Sequence, residues 1–134
     1  MELRRTPRGR RWVVGSDVEA PADVVWDLLV DIERWPEWGP TVSAVESPDR
    51  RITSDTTGKV RLTGLGVWVR FEVGHVDADR MRWDWEVARI AATGHRVRGR
   101  PEGCRVEVEM PLVAGGYAPM CRRACRNVRL LAEE

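Results

Sequence analysis

The sequence contains very little lysine and histidine, and it has no long apolar run. Lys59 is the only lysine among 22 basic residues, and these nearly balance 21 acidic residues. The resulting net charge of +1 creates no strong field that would attract nucleic acid, so we expect no nucleic-acid partner. No apolar run approaches the roughly 20 residues of a membrane-spanning helix, which predicts no stable membrane insertion.

Cysteine is also scarce, and its arrangement argues against disulfides and metal. Cys104, Cys121 and Cys125 form an odd set without an export signal ahead of them, so we expect reduced thiols and a cytoplasmic location. Cys121 and Cys125 lie four residues apart, but both histidines are distant in sequence, and no metal site is predicted. The chain lacks a phosphate-binding glycine loop and a nucleophile elbow, so no cofactor is expected.

Arginine clusters at the beginning of the chain. Five arginines lie within the first eleven residues: Arg4, Arg5, Arg8, Arg10 and Arg11. No apolar stretch of the length of an export signal follows them. We therefore expect residues 1–10 to be a flexible, solvated arm, with a phosphate or membrane head group as its alternative contact. The chain as a whole, 1–134, has the length of a single domain.

Hydrophobic spacing predicts a strand, one or two short helices, about six further strands and a long terminal helix. Residues 11–20 alternate as a strand does. Val25, Leu29 and Ile32 then share one face of a helix, and Pro36 is expected to end this helix. Period-two patterns dominate from 41 to 110, and residues 117–131 return to helical spacing. Because short turns join neighbouring strands, we expect antiparallel pairing and an α+β fold.

Aromatic-rich stretches carry a family resemblance. Residues 20–46, APADVVWDLLVDIERWPEWGPTVSAVE, resemble the entry segment of the START-like, or SRPBCC, superfamily, and in particular its polyketide cyclase/dehydrase branch. The matching positions are Ala20, Pro21, Val25, Trp26, Asp27, Asp31, Trp35, Pro36 and Trp38. Residues 71–85, FEVGHVDADRMRWDW, and residues 92–97, ATGHRV, resemble later parts of the same pattern.

The resemblance implies a helix-grip fold. In this fold a curved seven-stranded antiparallel sheet wraps around a long C-terminal helix, and two short helices follow the first strand. A cavity between the sheet and the helix holds a lipid, a polyketide or a similar hydrophobic molecule. Because some members are enzymes and many are carriers, the resemblance predicts a ligand-binding cavity more firmly than it predicts a reaction.

Aromatic and C-terminal helix residues are the candidates for lining this cavity. Trp83 and Trp85 share one strand face and could form an aromatic wall, with plain core packing as the alternative. His95 has inward parity and is a candidate acid or base, a ligand-orienting group or simply a core histidine. The residues expected to contact a ligand are Trp26, Trp35, Phe71, Trp83, Trp85, His95, Tyr117, Met120, Cys121 and Ala124. Arg82, Asp84 and Glu86 alternate with the tryptophans and are expected on a solvated outer face.

Three functions remain open at this point. The favoured one is a binding or carrier protein for a small hydrophobic ligand. An alternative is a cyclase or dehydratase in which His95 transfers a proton and Tyr117 orients a carbonyl. A protein-interaction or stress-response module is the third. The patterns do not distinguish a monomer from a homodimer, and they do not identify the ligand.

Overall fold

A single antiparallel sheet dominates the computed structural model, which describes all 134 residues. Its eight strands lie in the order β1-β2-β8-β7-β6-β5-β4-β3. Their bounds are β1 Glu2–Thr6, β2 Gly9–Val18, β3 Val42–Glu46, β4 Thr57–Leu62, β5 Trp68–Asp77, β6 Arg82–Val87, β7 Ile90–Arg100 and β8 Gly103–Met110. Every neighbouring pair is antiparallel, as predicted for the strands that short connections join; β2 and β8, which are distant in sequence, are antiparallel as well.

Three α-helices cover one face of the sheet. They are α1 Ala22–Val30, α2 Trp35–Trp38 and α3 Ala118–Ala132, and single 3-10 segments at Ile32–Arg34 and Leu112–Tyr117 precede the last two. The buried stripe of α3 consists of Ala118, Cys121, Ala124, Cys125 and Val128. These are the small and apolar positions of an amphipathic helix that lies against the sheet. None of the helices has the length and apolar content needed to cross a membrane.

The predicted α+β helix-grip architecture is confirmed, but the predicted strand number was wrong. The sheet has eight strands instead of seven, and the additional strand is Glu2–Thr6. It lies within residues 1–10, where we expected a flexible arm. A turn at Gly9, whose φ of 91° suits glycine, folds this segment back so that Arg4 pairs with Arg11 in the β1–β2 ladder.

The segment around Pro36 also differs from its prediction. The first helix ends at Val30, before the proline, and the Asp31 carboxylate accepts a hydrogen bond from the Glu33 amide. Pro36 lies in the first turn of α2, a position where the missing N–H costs nothing. Trp35 is therefore helical, with φ −54° and ψ −42°, although a residue before proline usually avoids this region.

Trp35 and Trp38 anchor α2 in the core. Both indoles are buried, and their N–H groups donate to the carbonyls of Leu29 and Leu28 at 2.9 Å. Trp35 stacks on Trp83 of β6 with ring centroids 5.2 Å apart and an interplanar angle of 4°. We call Trp35, Phe71, Trp83 and Trp85 the aromatic cluster, because all their centroid separations given by the structure lie between 5.2 and 5.9 Å.

The convex face of the sheet holds a buried ion-pair network, which contradicts the solvated face expected there. Arg82 and Asp84 are only 3% and 2% exposed. The Arg82 guanidinium donates two hydrogen bonds to Glu109, at 2.7 and 2.9 Å, and one to Asp84 at 2.7 Å. Strand parity placed these side chains on the correct face, but it did not reveal that this face is covered.

The β1–β2 hairpin supplies part of that cover. Arg8 at its turn donates to Asp84 at 3.0 Å, and Arg4 in β1 donates to the buried Glu107 at 2.8 Å. Burial alone would raise the pKa of Asp84, but hydrogen bonds from Arg8 and Arg82 outweigh it and hold the pKa below its usual value. The arginines of the expected flexible arm thus bind carboxylates on the back of the sheet.

We predict that the double variant Arg4→Gln/Arg8→Gln lowers the free energy of unfolding by about 1–3 kcal/mol, since it removes charged hydrogen bonds to buried carboxylates. Arg5→Gln/Arg10→Gln is the matched control, because Arg5 and Arg10 are exposed residues of the same hairpin without an ion pair. Urea denaturation measures both. Equal loss in the two double variants would contradict a specific role for the hairpin contacts.

Candidate ligand-binding cavity

The space between the sheet and α3 consists of two adjoining compartments. An inner compartment of about 50 Å³ lies beneath α3, and an outer groove of about 420 Å³ opens at one end of the sheet. The outer groove falls within the range of ordinary small-molecule pockets, whereas the inner one admits little more than a small group or water. The two compartments share Thr41, Val42, Trp85, Thr93 and Tyr117.

The aromatic cluster explains why the inner compartment is small. Trp35 and Trp83 are 2% and 1% exposed and fill the space that a longer cavity would occupy. Phe71, at 1% exposure, is covered by Trp35 at a centroid distance of 5.3 Å and by Trp85 at 5.7 Å. Most of this predicted aromatic wall is therefore packed core, and Trp85 is the member that also reaches the outer groove.

Eight of the ten residues predicted to contact a ligand line the inner compartment. They are Trp35, Trp83, Trp85, His95, Tyr117, Met120, Cys121 and Ala124. Trp26 and Phe71 line neither compartment. Trp26 is buried in the core on α1, and Phe71 lies behind its aromatic neighbours.

The outer groove was missed by sequence reasoning, because turns and strand ends supply most of it. Its residues outside the shared set are Val60, Leu62, Thr63, Leu65, Val87, Ala91, Ala92, Met110, Pro111 and Ala114. The parity that placed His95 inward also places Thr93 inward, so part of the wall could have been found. Parity fails at Ala91, because the β6–β7 register shifts between Asp84 and Glu86 and pairs Ala91 with Glu86. The loop positions Leu65 and Ala114 have no periodic signal.

A few polar groups lie at the junction of the two compartments. The Trp85 indole donates to Thr93 Oγ1 at 3.0 Å, and the same oxygen lies 3.0 Å from Nε2 of His95. The Tyr117 hydroxyl donates to Thr41 Oγ1 at 2.8 Å. Two threonine hydroxyls are thus held at fixed positions where the apolar groove meets the aromatic cluster.

His95 is a buried, neutral side chain. Its ring stacks on Trp83 at a centroid distance of 4.1 Å, and 3% of the residue is exposed. Burial lowers the pKa of His95 to about 3, because imidazolium is penalised more by desolvation than the nearby Trp83 backbone stabilises it. Nδ1 has no partner with hydrogen-bond geometry. An imidazole with this pKa carries almost no proton at neutral pH and is a weak base.

The remaining ionisable groups of the cavity are also uncharged. Burial raises the pKa of Tyr117, and it raises the pKa of Cys121 to about 12. None of the lining residues of either compartment is Asp, Glu, Lys or Arg. No group of three His, Cys, Asp or Glu side chains has an arrangement suited to a metal ion. The cavity therefore presents a neutral and mostly apolar surface.

The buried imidazole predicts an unusual pH dependence of stability. In the unfolded chain His95 titrates near pH 6.5, whereas in the folded protein its pKa is about 3. The stabilisation that comes from a neutral His95 is therefore complete above pH 6.5 and is lost as the pH falls toward 3. The slope is about 1.4 kcal/mol per pH unit, and the total is on the order of 4–5 kcal/mol.

Unfolding free energies measured between pH 7 and 5 check this prediction, because carboxylates contribute least in that window. His95→Gln should flatten the slope, whatever its effect on absolute stability. His75→Gln is the matched control, because His75 is exposed on β5. An unchanged slope in His95→Gln would show that His95 is accessible to protons in the folded state.

Comparison with solved structures supports the fold. The chain resembles the di-domain aromatase/cyclase StfQ of the steffimycin biosynthetic pathway, with a TM-score of 0.69 and 20% identity, over 91% of this chain and 45% of that one. It therefore spans less than half the length of StfQ. The Zhui aromatase/cyclase from Streptomyces sp. R1128 gives a TM-score of 0.69 at 14% identity, covering 92% and 93% of the two chains. Ara h 8.0201 gives 0.67 at 13% identity, covering 91% and 96%.

Comparison at the level of sequence identifies the family. A search of curated proteins gives no match. A family model does match, and it covers residues 11–129, from the second strand to the last turns of α3. Its description is polyketide cyclase / dehydrase and lipid transport, in agreement with the START-like resemblance of the aromatic stretches. Because the match covers most of the sequence, the chain belongs to this polyketide cyclase/dehydrase and lipid transport family.

Proposed function

We propose that this protein binds and carries a small, uncharged, hydrophobic molecule. The observation that carries the proposal is an outer groove of about 420 Å³ whose lining contains no charged side chain. Burying a ligand charge in such a groove would leave it without a counter-ion, at a cost of several kcal/mol. Neutral lipids and polyketide-like molecules meet the requirement.

In this proposal the ligand occupies the outer groove and points its polar end inward. The Thr41 and Thr93 hydroxyls lie at the inner end, where they can hydrogen-bond a carbonyl or hydroxyl group. The apolar body then contacts Leu62, Met110 and Ala114 along the groove. A few fixed polar groups in an apolar pocket orient a ligand, while apolar contact supplies most of the affinity.

The cyclase or dehydratase alternative has weaker support from the same cavity. General acid–base catalysis needs a group whose pKa lies near the working pH. The pKa of His95 is about 3, and that of Tyr117 is raised above its ordinary value. No carboxylate lines the cavity to form a second proton carrier. These features favour a carrier over a proton-transfer enzyme.

The proposal predicts binding of the neutral apolar dye N-phenyl-1-naphthylamine, with a rise in its fluorescence. Ala114→Phe places a ring in the groove and should weaken dye affinity by about ten-fold or more, since it removes the space that the dye needs. Ala78→Phe in the β5–β6 turn is the matched control, because Ala78 is exposed and does not line the groove. The control should bind the dye as the parent protein does.

Two results would contradict the carrier proposal. One is the absence of dye binding by a folded protein. The other is equal weakening by Ala114→Phe and Ala78→Phe, which would place the dye outside the groove. Native mass spectrometry of protein from its own host then identifies the molecule carried, and the neutral lining predicts an uncharged one.

A further inference from the structure

The apolar side chains that the fold leaves exposed are concentrated at one end of the sheet. Alternating strand directions bring the β4–β5 turn, the β6–β7 turn and the exit from β8 to this end, where the outer groove opens. Eight of the twelve well-exposed large apolar residues lie there: Leu65, Val67, Trp68, Ile90, Leu112, Val113, Tyr117 and Met120. We call these eight residues the apolar rim.

The most exposed rim residues come from three separate segments. Val113 is 98% exposed, Leu65 74% and Ile90 70%; Leu65 lies in the β4–β5 turn, Ile90 at the start of β7 and Val113 after β8. Single exposed apolar residues are common on protein surfaces and need no explanation. Their convergence around one opening is different, because contiguous exposed apolar surface marks a place where a protein contacts a partner or a membrane.

The connections at the opposite end of the sheet are charged instead of apolar. Its connections are residues 47–56, 78–81 and 101–102, and they carry Asp49, Arg50, Arg51, Asp55, Asp79, Arg80 and Glu102. None of the large exposed apolar residues lies in these connections. The connections at the two ends therefore differ, with charged side chains in one set and exposed apolar side chains in the other, and the cavity opens at the end with the apolar set.

The connections around the rim carry only positive charge, and the carboxylates beside Arg89, Glu72 and Glu86, belong to the strands. The connections 63–67, 88–89 and 111–117 contain no Asp or Glu. Arg10, Arg61 and Arg89 lie at this end, are exposed and form no ion pair. An apolar surface bordered by unpaired arginines is complementary to an anionic lipid surface. Trp68 and Tyr117 also suit an interface, since such rings combine an apolar body with a polar group.

We propose that the apolar rim docks on the surface of an anionic lipid membrane, with Leu65, Ile90 and Val113 in contact with the lipid. The proposal deepens the carrier function and rests on it. A groove facing the bilayer lets an apolar ligand pass between lipid and protein without crossing water. The contact is peripheral, because the rim consists of single side chains in turns, at strand ends and at the start of α3 instead of a membrane-spanning segment.

Co-sedimentation with vesicles of phosphatidylcholine containing about one quarter phosphatidylglycerol tests the docking. The parent protein should sediment with these vesicles, and less with pure phosphatidylcholine. The triple variant Val67→Ser/Ile90→Ser/Val113→Ser should weaken binding by about ten-fold or more, because membrane affinity follows buried apolar area. These three residues are exposed and do not line the groove. Dye binding in solution should therefore persist.

The matched control is Leu3→Ser/Val24→Ser/Leu130→Ser, which changes three exposed apolar residues away from the rim. It should sediment like the parent protein. Equal losses in both triple variants, or no vesicle binding by a parent protein that still binds dye, would overturn the docking proposal and leave the carrier function standing. Vesicle binding without dye binding would contradict the carrier function and leave the rim as a lipid-binding surface.

A second copy of this chain is the competing occupant of the rim. Light scattering during size-exclusion chromatography distinguishes it. A parent dimer that becomes monomeric in the rim variant and stays dimeric in the control variant would overturn membrane docking in favour of self-association. A protein that stays monomeric while it sediments with vesicles supports the membrane as the partner.

Discussion

The stacking of Trp35 on Trp83 is the contact on which the rest of the structure depends. It joins α2 to β6 with ring centroids 5.2 Å apart, and the Trp35 indole also donates to the Leu29 carbonyl of α1. One side chain thus connects both short helices to the sheet. It also occupies the inner half of the space beneath α3, which leaves about 50 Å³ there and about 420 Å³ in the outer groove. The same packing that stabilises the fold determines where a ligand has room.

The sheet separates a charged convex face from a neutral concave face. Carboxylates and arginines pair on the convex face, where Arg4 and Arg8 of the hairpin cover Glu107 and Asp84. The concave face carries no charged side chain in either compartment. This separation accounts for the neutral state of His95, since desolvation acts there without an acidic partner in the cavity to oppose it. A neutral interior and an apolar, carboxylate-free opening suit the transfer of an uncharged molecule from a lipid surface.

Much of the fold, and part of the site, could be predicted from the sequence. Alternation of Trp83 and Trp85 with Asp84 indicated the inward face correctly, because side chains on a strand point to opposite sides. It could not show that Trp35, from a distant helix, would fill the space in front of them. Nor could it show that Asp84 is buried, since that depends on a hairpin whose arginines suggest a solvated arm. The outer groove depends on turn residues such as Leu65, where hydrophobic periodicity carries no information.

Trp35→Ala tests most directly whether this tryptophan is a structural core residue instead of a lid over the ligand. Unfolding and dye binding are measured on the same variant. Trp68→Ala is the control, because Trp68 is 41% exposed. The structure predicts a loss of about 3–5 kcal/mol in the free energy of unfolding, as expected for deleting a buried aromatic ring. Dye affinity of the folded variant should stay within a few-fold of the parent, since the outer groove remains. Unchanged stability together with lost dye binding would contradict this assignment and make Trp35 part of the ligand's enclosure.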